Sequence, residues 1–281
     1  MKAFLRGVGL WSPTAGTVAS WLEAGAPADL GGVDEAGKRP PADLLHSRLR
    51  RRTSTLTRAA VTALVEACTA GGAPLDECRI VLASSYGEIE TTVDILGQLA
   101  DPEGPVSPTK FHNSVHNTAT GYMSIAAGNR WPSTALAAGS RALEVGVLEA
   151  LAGLAAGGPQ RVVVILAEER LPAPFEREDA DPTFAVALHF DAEAGGEACP
   201  ESLDLPVELC ELELGPEHGD DAGVGAGADG IASTLADLLP LLRRVLVDRE
   251  GADTVALSQA RTRGHARRWG LRIGAGAGEA S

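Results

Sequence analysis

The sequence lacks the features that mark membrane, secreted and nucleic-acid-binding proteins. None of its 281 residues belongs to an apolar run near the ~20 residues that a bilayer crossing needs, and the first residues are too polar for a signal peptide. We therefore expect a cytoplasmic protein without a membrane span. Only 24 Lys and Arg oppose 38 Asp and Glu, which gives a formal net charge of −14. That surplus would repel a phosphate backbone, so no nucleic-acid partner is expected.

Cysteine and aromatic residues are also scarce. The cysteines are Cys68, Cys78, Cys199 and Cys210, and no two of them form a CxxC pair. Neither a disulfide framework nor a zinc ribbon is therefore expected. Aromatic residues make up only 4% of the chain, so the core must consist of small and branched aliphatic side chains. Such side chains suit helices that pack closely on a sheet.

Apolar runs alternate with helical patterns along most of the chain. The patterns predict strands at residues 2–10, 79–84, 161–167, 184–190, 207–214, 254–258 and 269–273, and helices that begin near Ser54 and cover residues 139–155 and 235–247. Residues 161–167 are rich in β-branched side chains, as is typical of a strand covered on both faces. The alternation predicts an α/β layered fold with a mostly parallel central sheet between helices.

Two motifs resemble ligand sites but lack what those sites need. His112 and His116 have the spacing of a zinc pair on one helix, yet no Glu follows the first His and no third ligand is evident. Residues 225–230 match the GxGxxG pattern, but they do not follow directly on a strand, and nearby aspartates put negative charge where a pyrophosphate would bind. We predict an acidic linker there, no metal site and no cofactor.

Two arginine islands interrupt the acidic background. They comprise Arg48, Arg50, Arg51, Arg52 and Arg58, and then Arg261, Arg263, Arg267 and Arg268 around His265. Arginine clusters can bind phosphate or carboxylate groups, although most are simply solvated surfaces. Both interpretations stay open for these two islands.

The chain also offers hydroxyl groups that could act as nucleophiles: Ser84, Ser85, Ser133, Thr134 and Ser140. None of them lies in a GxSxG elbow. A serine reacts only with an adjacent base. His112 or His116 could be that base if the fold brought it close.

Four segments form a set that can be compared with known families. They are residues 111–119 (FHNSVHNTA), 121–126 (GYMSIA), 132–140 (PSTALAAGS) and 164–169 (VILAEE). This set resembles the N-terminal half of a β-ketoacyl synthase, and is most similar to the short chain length factors of aryl-polyene and related type II polyketide systems. The resemblance implies a thiolase-like fold. Residues 1–190 would be the ketosynthase-like half, residues 191–230 an acidic Gly-rich connection with one strand, and residues 231–281 a reduced second half.

In catalytic members of that family, the third segment carries the nucleophilic cysteine at the start of a buried helix. The corresponding residue here is Leu136. A leucine has no lone pair with which to attack a thioester, so the resemblance implies a degenerate site and no independent activity. The family's His-Gly-Thr segment is absent, and His265 is only a superficial match to its second histidine. Polyketide-type chain length factors often carry glutamine at this position, and that residue is absent too.

The resemblance implies a non-catalytic subunit that forms a heterodimer with a catalytic ketosynthase and helps to set polyketide or fatty acyl chain length. Seven residues would lie at the subunit contact or along the acyl tunnel: Phe111, His112, Asn113, Val115, His116, Asn117 and Met123.

Two alternatives stay open at this stage. The first is a stand-alone acyl thioesterase or acyltransferase that uses Ser133, Thr134 or Ser140 with one of the two histidines. The second is a homodimeric binding protein that docks an acidic acyl carrier protein, a role that could coexist with the heterodimer. Its docking surface would be formed by Arg48, Arg50, Arg51 and Arg52.

Overall fold

The computed structural model describes residues 1–28, 30, 39–101, 104–176, 181–194, 202–213, 234–249, 251–258 and 267–274, and only the backbone of Glu213, Arg267 and Arg268. Several features singled out in the sequence lie outside the described residues: residues 225–230, Cys199, Arg261, Arg263 and His265.

Strands and helices alternate along the described chain. The strands are β1 (Lys2–Trp11), β2 (Arg79–Ser84), β3 (Ser133–Ala137), β4 (Arg161–Glu168), β5 (Phe184–Asp191), β6 (Leu205–Glu213), β7 (Asp253–Ala256) and β8 (Arg267–Ile273). The helices are α1 (Val18–Glu23), α2 (Ser47–Arg50), α3 (Thr55–Ala70), α4 (Ile89–Ala100), α5 (Pro108–Asn113), α6 (Thr118–Ala127), α7 (Ala142–Ala155) and α8 (Thr234–Leu246). Short 3-10 turns occupy Leu75–Glu77 and Gly139–Arg141. Every strand predicted from the sequence is present, and β3 was missed.

All eight strands join one sheet in the order β3-β2-β4-β5-β1-β6-β8-β7. The predicted α/β layered class is confirmed, but the expectation of a mostly parallel sheet is wrong. Only β2 pairs in parallel with its neighbours, β3 and β4, and the other five pairings are antiparallel.

The error has a physical reason. Helices connect β2 to β3 and β3 to β4, and a helical crossover returns the chain in the same direction. The described residues between β4 and β5 contain no helix, so these neighbours run in opposite directions. Burial on both faces makes an antiparallel strand as continuously apolar as a parallel one, and the sequence pattern could not tell them apart.

The sheet separates two apolar cores. On β4, Val162, Val164 and Leu166 face the core covered by α7 and α8. The alternate residues Val163 and Ile165 face the core covered by α3 and α6. This alternation follows from the two-residue repeat of a strand, and it gives the molecule its helix, sheet and helix layers.

Two glycines in β1 bring α3 unusually close to the sheet. A Cβ atom at Gly7 would overlap the carbonyl oxygen of Ala67, and one at Gly9 would overlap that of Ala63. The helix begins after Ser54, whose hydroxyl accepts a hydrogen bond from the Thr57 amide at 3.0 Å. Small residues therefore set the spacing of this layer, as the aromatic-poor composition predicts.

Within the described ranges, no helix combines the length and the apolar character needed to cross a bilayer. The cytoplasmic location expected from the sequence stays a prediction.

Candidate functional site

Three parallel strands end at the same C-terminal end of the sheet and bring together two of the family-like segments, residues 132–140 and 164–169. In the register of these strands, Ala83 of β2 lies opposite both Leu136 of β3 and Leu166 of β4. Because parallel strands end on one side, Leu136, Ser84 and Glu168 all lie at this C-terminal end of the sheet. Ligands of open α/β sheets bind at the C-terminal ends of the strands, so we take this end of the sheet as the candidate site.

Leu136 is the penultimate residue of β3 and is half-buried. Its side chain packs against the core that α7 and α8 cover. A 3-10 turn at Gly139–Arg141 separates it from α7, which begins at Ala142. The structure therefore places this residue on a strand, not at a helix start as the resemblance suggested, and its equivalence to the family's nucleophile stays a prediction.

Glu168 is the buried polar centre of the site. Its Oε1 accepts hydrogen bonds from the Ser85 amide at 2.7 Å and from the Thr234 hydroxyl at 3.0 Å. Its Oε2 accepts from the Ser84 hydroxyl at 3.1 Å. The Ser85 Oγ lies 3.1 Å from both the Gly139 carbonyl oxygen and the Thr234 Oγ1. One carboxylate thus connects the ends of β2 and β4 with the start of α8.

Burial raises the pKa of Glu168 to about 7, against the opposing effect of its three hydrogen-bond donors. This carboxyl group therefore changes charge near neutral pH.

A second buried carboxylate, Glu169, joins two helix starts. It accepts hydrogen bonds from the Leu56 amide of α3 at 3.2 Å and from the Glu90 amide of α4 at 3.1 Å. Helix N-termini favour anions, but burial and the neighbouring Glu88 raise the pKa of Glu169 to about 8. Glu88 is itself 3% exposed, and burial raises its pKa as well. The Thr57 hydroxyl donates to Glu88 Oε1 at 2.7 Å, while Glu88 Oε2 has no hydrogen-bond partner among the described residues.

The predicted contact segment divides into exposed and interior residues. Phe111 is 60% exposed and Val115 47%, and His112 and Asn117 are exposed as well. Met123, in contrast, is fully buried against α3 in the second core, so it does not lie on the surface of the chain, and a place along the acyl tunnel stays a prediction.

Asn113 is also interior. Its side chain donates to the Arg52 carbonyl at 2.5 Å and accepts from the Tyr122 hydroxyl at 3.2 Å. It therefore joins α5 to α6 and to the arginine island and does not face outward.

The two histidines do not share a helix face. His112 lies in α5, with its ring edge-on to Tyr122 at 5.8 Å. His116 lies in the turn before α6, and its ring sits so close to Gly87 that a Cβ atom there would overlap it. No group of three metal-ligating side chains occurs in the described part of the chain.

The hydroxyl groups proposed for a thioesterase are not paired with a base. Ser133 is exposed, and the Thr134 hydroxyl accepts from Arg79 at 3.3 Å. Among the described side chains, no hydrogen bond joins Ser133, Thr134 or Ser140 to a histidine, and the Nε2 of His116 has no partner.

The first arginine island lies on and beside α2. Arg48, Arg51 and Arg52 are exposed. Arg50 is held by Asp43 at 2.6 Å and by the Pro41 carbonyl at 2.9 Å. The pKa of Arg58 is lowered by burial and by the nearby charges of Arg39 and Arg50. Because the Arg52 carbonyl binds Asn113, this positive surface adjoins α5.

Sequence reasoning did not assign roles to the buried carboxylates. The sequence pattern singles out Glu168 and Glu169 only as part of a family-like segment, and it does not single out Glu88 or Glu144. The available signal was a pair of acidic residues at the end of an apolar strand. Side chains at such a place are usually buried, and a buried carboxylate is rare unless it has partners. Their partners come from distant parts of the chain, so spacing alone could not identify the network.

Comparisons with solved structures match almost the whole chain. One match is the ketosynthase ApeO in complex with its chain length factor ApeC from Xenorhabdus doucetiae, with a TM-score of 0.67, 21% identity and coverage of 96% of this chain and 99% of that chain. The ishigamide ketosynthase/chain length factor gives a TM-score of 0.70, 18% identity and coverage of 98% and 100%.

A third match is AntDE:AntF, described as a type II PKS acyl-carrier protein in complex with its ketosynthase, with a TM-score of 0.59, 14% identity and coverage of 98% and 99%. These likenesses confirm the thiolase-like fold. No curated protein matches the chain.

The family model described as "Beta-ketoacyl synthase, N-terminal domain" matches residues 21–220, which include β2 to β5 and the candidate site. The chain belongs to the β-ketoacyl synthase N-terminal domain family.

Proposed function

We propose that this chain is a non-catalytic subunit that pairs with a catalytic ketosynthase and limits the length of the acyl chain built there. The observation that carries the proposal is Leu136 at the nucleophile position, half-buried at the end of β3. Condensation by the family's covalent route needs a nucleophile there, and a hydrocarbon side chain cannot form a thioester. What the chain retains is the scaffold around that position.

The surface beside the site supports the pairing. β3 is an edge strand of the described sheet, bonded only to β2, and an open edge can accept a strand from another chain. The segment from α5 to the start of β3 carries four exposed apolar side chains, which we call the apolar flank: Phe111, Val115, Ile125 and Trp131. Ile125 is 73% exposed, an unusual state for a large aliphatic residue unless a partner covers it.

The lengths of the matched chains also support the proposal. This chain and single chains from two ketosynthase/chain length factor structures cover one another almost completely.

We further propose that residues 1–190 are the ketosynthase-like half, that residues 191–230 connect the two halves, and that residues 231–281 are a reduced second half. The strands β6, β8 and β7 continue the sheet from β1, as one compact unit requires.

Length control would be steric. An acyl chain growing in the partner's active site would extend toward this subunit until it met side chains at the shared surface. Forcing extra methylenes into a filled cavity costs about 1–3 kcal/mol. Each tenfold change in partition between elongation and release requires only about 1.4 kcal/mol, so such a barrier is large enough to end elongation.

Reconstitution tests the proposal. We expect the chain to co-purify as a 1:1 complex with its cognate ketosynthase, and the complex to release a narrower range of product lengths than the ketosynthase alone. The isolated chain, incubated with acyl thioesters, should keep its unmodified mass. A covalent acyl adduct on the isolated chain, or product lengths that do not depend on its presence, would contradict the proposal.

The arginine island suits a second role of the same subunit, the docking of an acidic acyl carrier protein. Its exposed members Arg51 and Arg52 adjoin α5, beside the proposed contact surface. We expect Arg51→Glu with Arg52→Glu to weaken carrier binding, and added salt to weaken binding to the unaltered chain steeply. Arg272→Glu, on distant β8, is the control. Equal affinity of the carrier protein for the unaltered chain, the double variant and Arg272→Glu would contradict this role.

The thioesterase alternative has no support in the site geometry. In the described structure its three candidate hydroxyl groups lack a histidine partner, and a hydroxyl without a base is a poor nucleophile.

A further inference from the structure

The section formed by α8, β7 and β8 reaches the candidate site at two points. We call it the C-terminal section, and we call residues 136–141 the Leu136 segment. At the first point, the Thr234 hydroxyl at the start of α8 donates to the buried Glu168 at 3.0 Å. Glu168 also binds the Ser85 amide, and the Ser85 hydroxyl lies 3.1 Å from the Gly139 carbonyl oxygen. A chain of hydrogen bonds therefore runs from α8 to the Leu136 segment.

The second contact uses another buried carboxylate. Glu144, in the first turn of α7, is 2% exposed. Its Oε1 accepts from the Trp269 amide of β8 at 3.3 Å. Both of its oxygens bind the Arg141 guanidinium, at 2.7 Å and 3.1 Å, and Arg141 ends the Leu136 segment. The two contacts thus hold opposite ends of the turn that follows Leu136.

Apolar packing also connects the C-terminal section with Leu136. Leu136 and Trp269 are both half-buried, and both pack against the core beneath α7 and α8. On its outer side β3 has no neighbouring strand in the described sheet. The position of its end therefore depends on contacts from elsewhere, and the C-terminal section supplies two of them.

We propose that the C-terminal section clamps the Leu136 segment through Glu168 and Glu144, which act as positioning residues for the side chain at position 136. Neither residue needs to touch an acyl group. Each carboxylate accepts hydrogen bonds both from the C-terminal section and from the residues that hold the Leu136 segment. An unpaired donor in the interior is costly, so the loss of the bonds to the C-terminal section loosens the bonds to the Leu136 segment. The consequence for product length rests on the proposed function, but the clamp itself does not.

Amide hydrogen exchange on the isolated chain tests the clamp. Thr234→Val keeps the side-chain shape and removes the α8 donor, and Glu144→Ala removes the β8 contact. We expect exchange in the Leu136 segment to become about ten- to a hundredfold faster in each variant. Glu168→Ala should have the same effect, whereas Glu168→Gln, which can accept the Ser85 and Thr234 donors, should restore slow exchange.

The matched control is Glu66→Ala. Glu66 accepts the Leu10 and Val18 amides at 2.8 Å each and contributes nothing to either contact of the clamp. If the Leu136 segment exchanges no faster in Thr234→Val and Glu144→Ala than in Glu66→Ala, the clamp is refuted. Faster exchange along the whole chain in every variant would refute the clamp too, since that result reports general destabilisation.

Product analysis of the ketosynthase complex separates the clamp from the function it serves. We expect Thr234→Val to broaden the product lengths while the complex stays intact, and Glu168→Gln to leave them unchanged. Unchanged products in Thr234→Val would overturn the positioning role. Failure of the unaltered chain to form the complex would instead overturn the proposed function, and the exchange experiment would still decide the clamp.

Discussion

At the residue scale, the proposed function rests on one side chain. We propose that Leu136 takes the place of the family's nucleophile, and its hydrocarbon side chain has no lone pair to offer a thioester. The buried polar groups around it remain well paired, with Glu168 accepting three hydrogen bonds. Under the proposed function, the site therefore keeps its buried hydrogen bonds and lacks the reacting atom.

The bulk of Leu136 gives a prediction at this scale. Leu136→Ala removes hydrocarbon from the half-buried end of β3, so we expect the ketosynthase complex to release longer products. Because the side chain is only partly buried, the free energy of unfolding should fall by about 1–2 kcal/mol, less than for a core leucine. Product chromatography and urea unfolding measure the two effects.

Leu148→Ala provides the matched control for that experiment. Leu148 of α7 is also half-buried and packs against the same core, away from the end of β3. It should lower stability by a similar amount and leave product lengths unchanged. If both variants shift the products equally, the effect comes from loss of stability and not from the volume at position 136.

At the element scale, β3 forms one edge of the described sheet and bonds there to β2 alone. Helix α6, which carries Ile125 of the apolar flank, contacts this strand. The other sheet edge is β7, whose four residues offer a shorter template. An unprotected edge beside exposed apolar side chains is the form that a partner surface takes before assembly.

A charge placed on this surface should oppose assembly. We expect Ile125→Glu to weaken association with the ketosynthase by at least about tenfold, because the complex would have to bury an unpaired carboxylate. The isolated chain should keep its stability, since Ile125 is 73% exposed. Analytical ultracentrifugation measures the association.

Val247→Glu is the control for this prediction, because Val247 is 49% exposed and lies just after α8, outside the apolar flank. Equal association of both variants with the ketosynthase would show that α6 lies outside the interface.

At the scale of the whole molecule, charge and burial act together on stability. Burial raises the pKa of Glu168 to about 7 and that of Glu169 to about 8, from an ordinary value of 4.5. Both groups bind a proton more tightly in the folded chain than in the unfolded chain. Their contribution to stability is therefore complete below about pH 4.5 and is lost as the pH rises through 7 and 8. The net charge of −14 adds self-repulsion in the same direction.

We therefore expect the free energy of unfolding to fall between pH 5.5 and pH 8.5, by on the order of 2 kcal/mol from Glu168 alone. Glu168→Gln with Glu169→Gln should flatten this dependence. Glu77→Gln, an exposed carboxyl group, should not change it. Urea unfolding across this pH range measures the effect. A doubly substituted chain that loses as much stability with pH as the unaltered chain would contradict it.

The sequence by itself determined the helix and strand layers of this protein and the aliphatic character of the side chain at position 136. Strand and helix periodicity depends on local apolar spacing, so β1, β4 and the helix after Ser54 could be located, and a residue's chemistry is fixed by its identity, as at Leu136. Tertiary structure alone decided strand direction, the interior place of Met123, and the network that joins Glu168 to Ser85 and Thr234. Those features depend on which distant segments meet once the chain is folded, and local spacing carries no record of that.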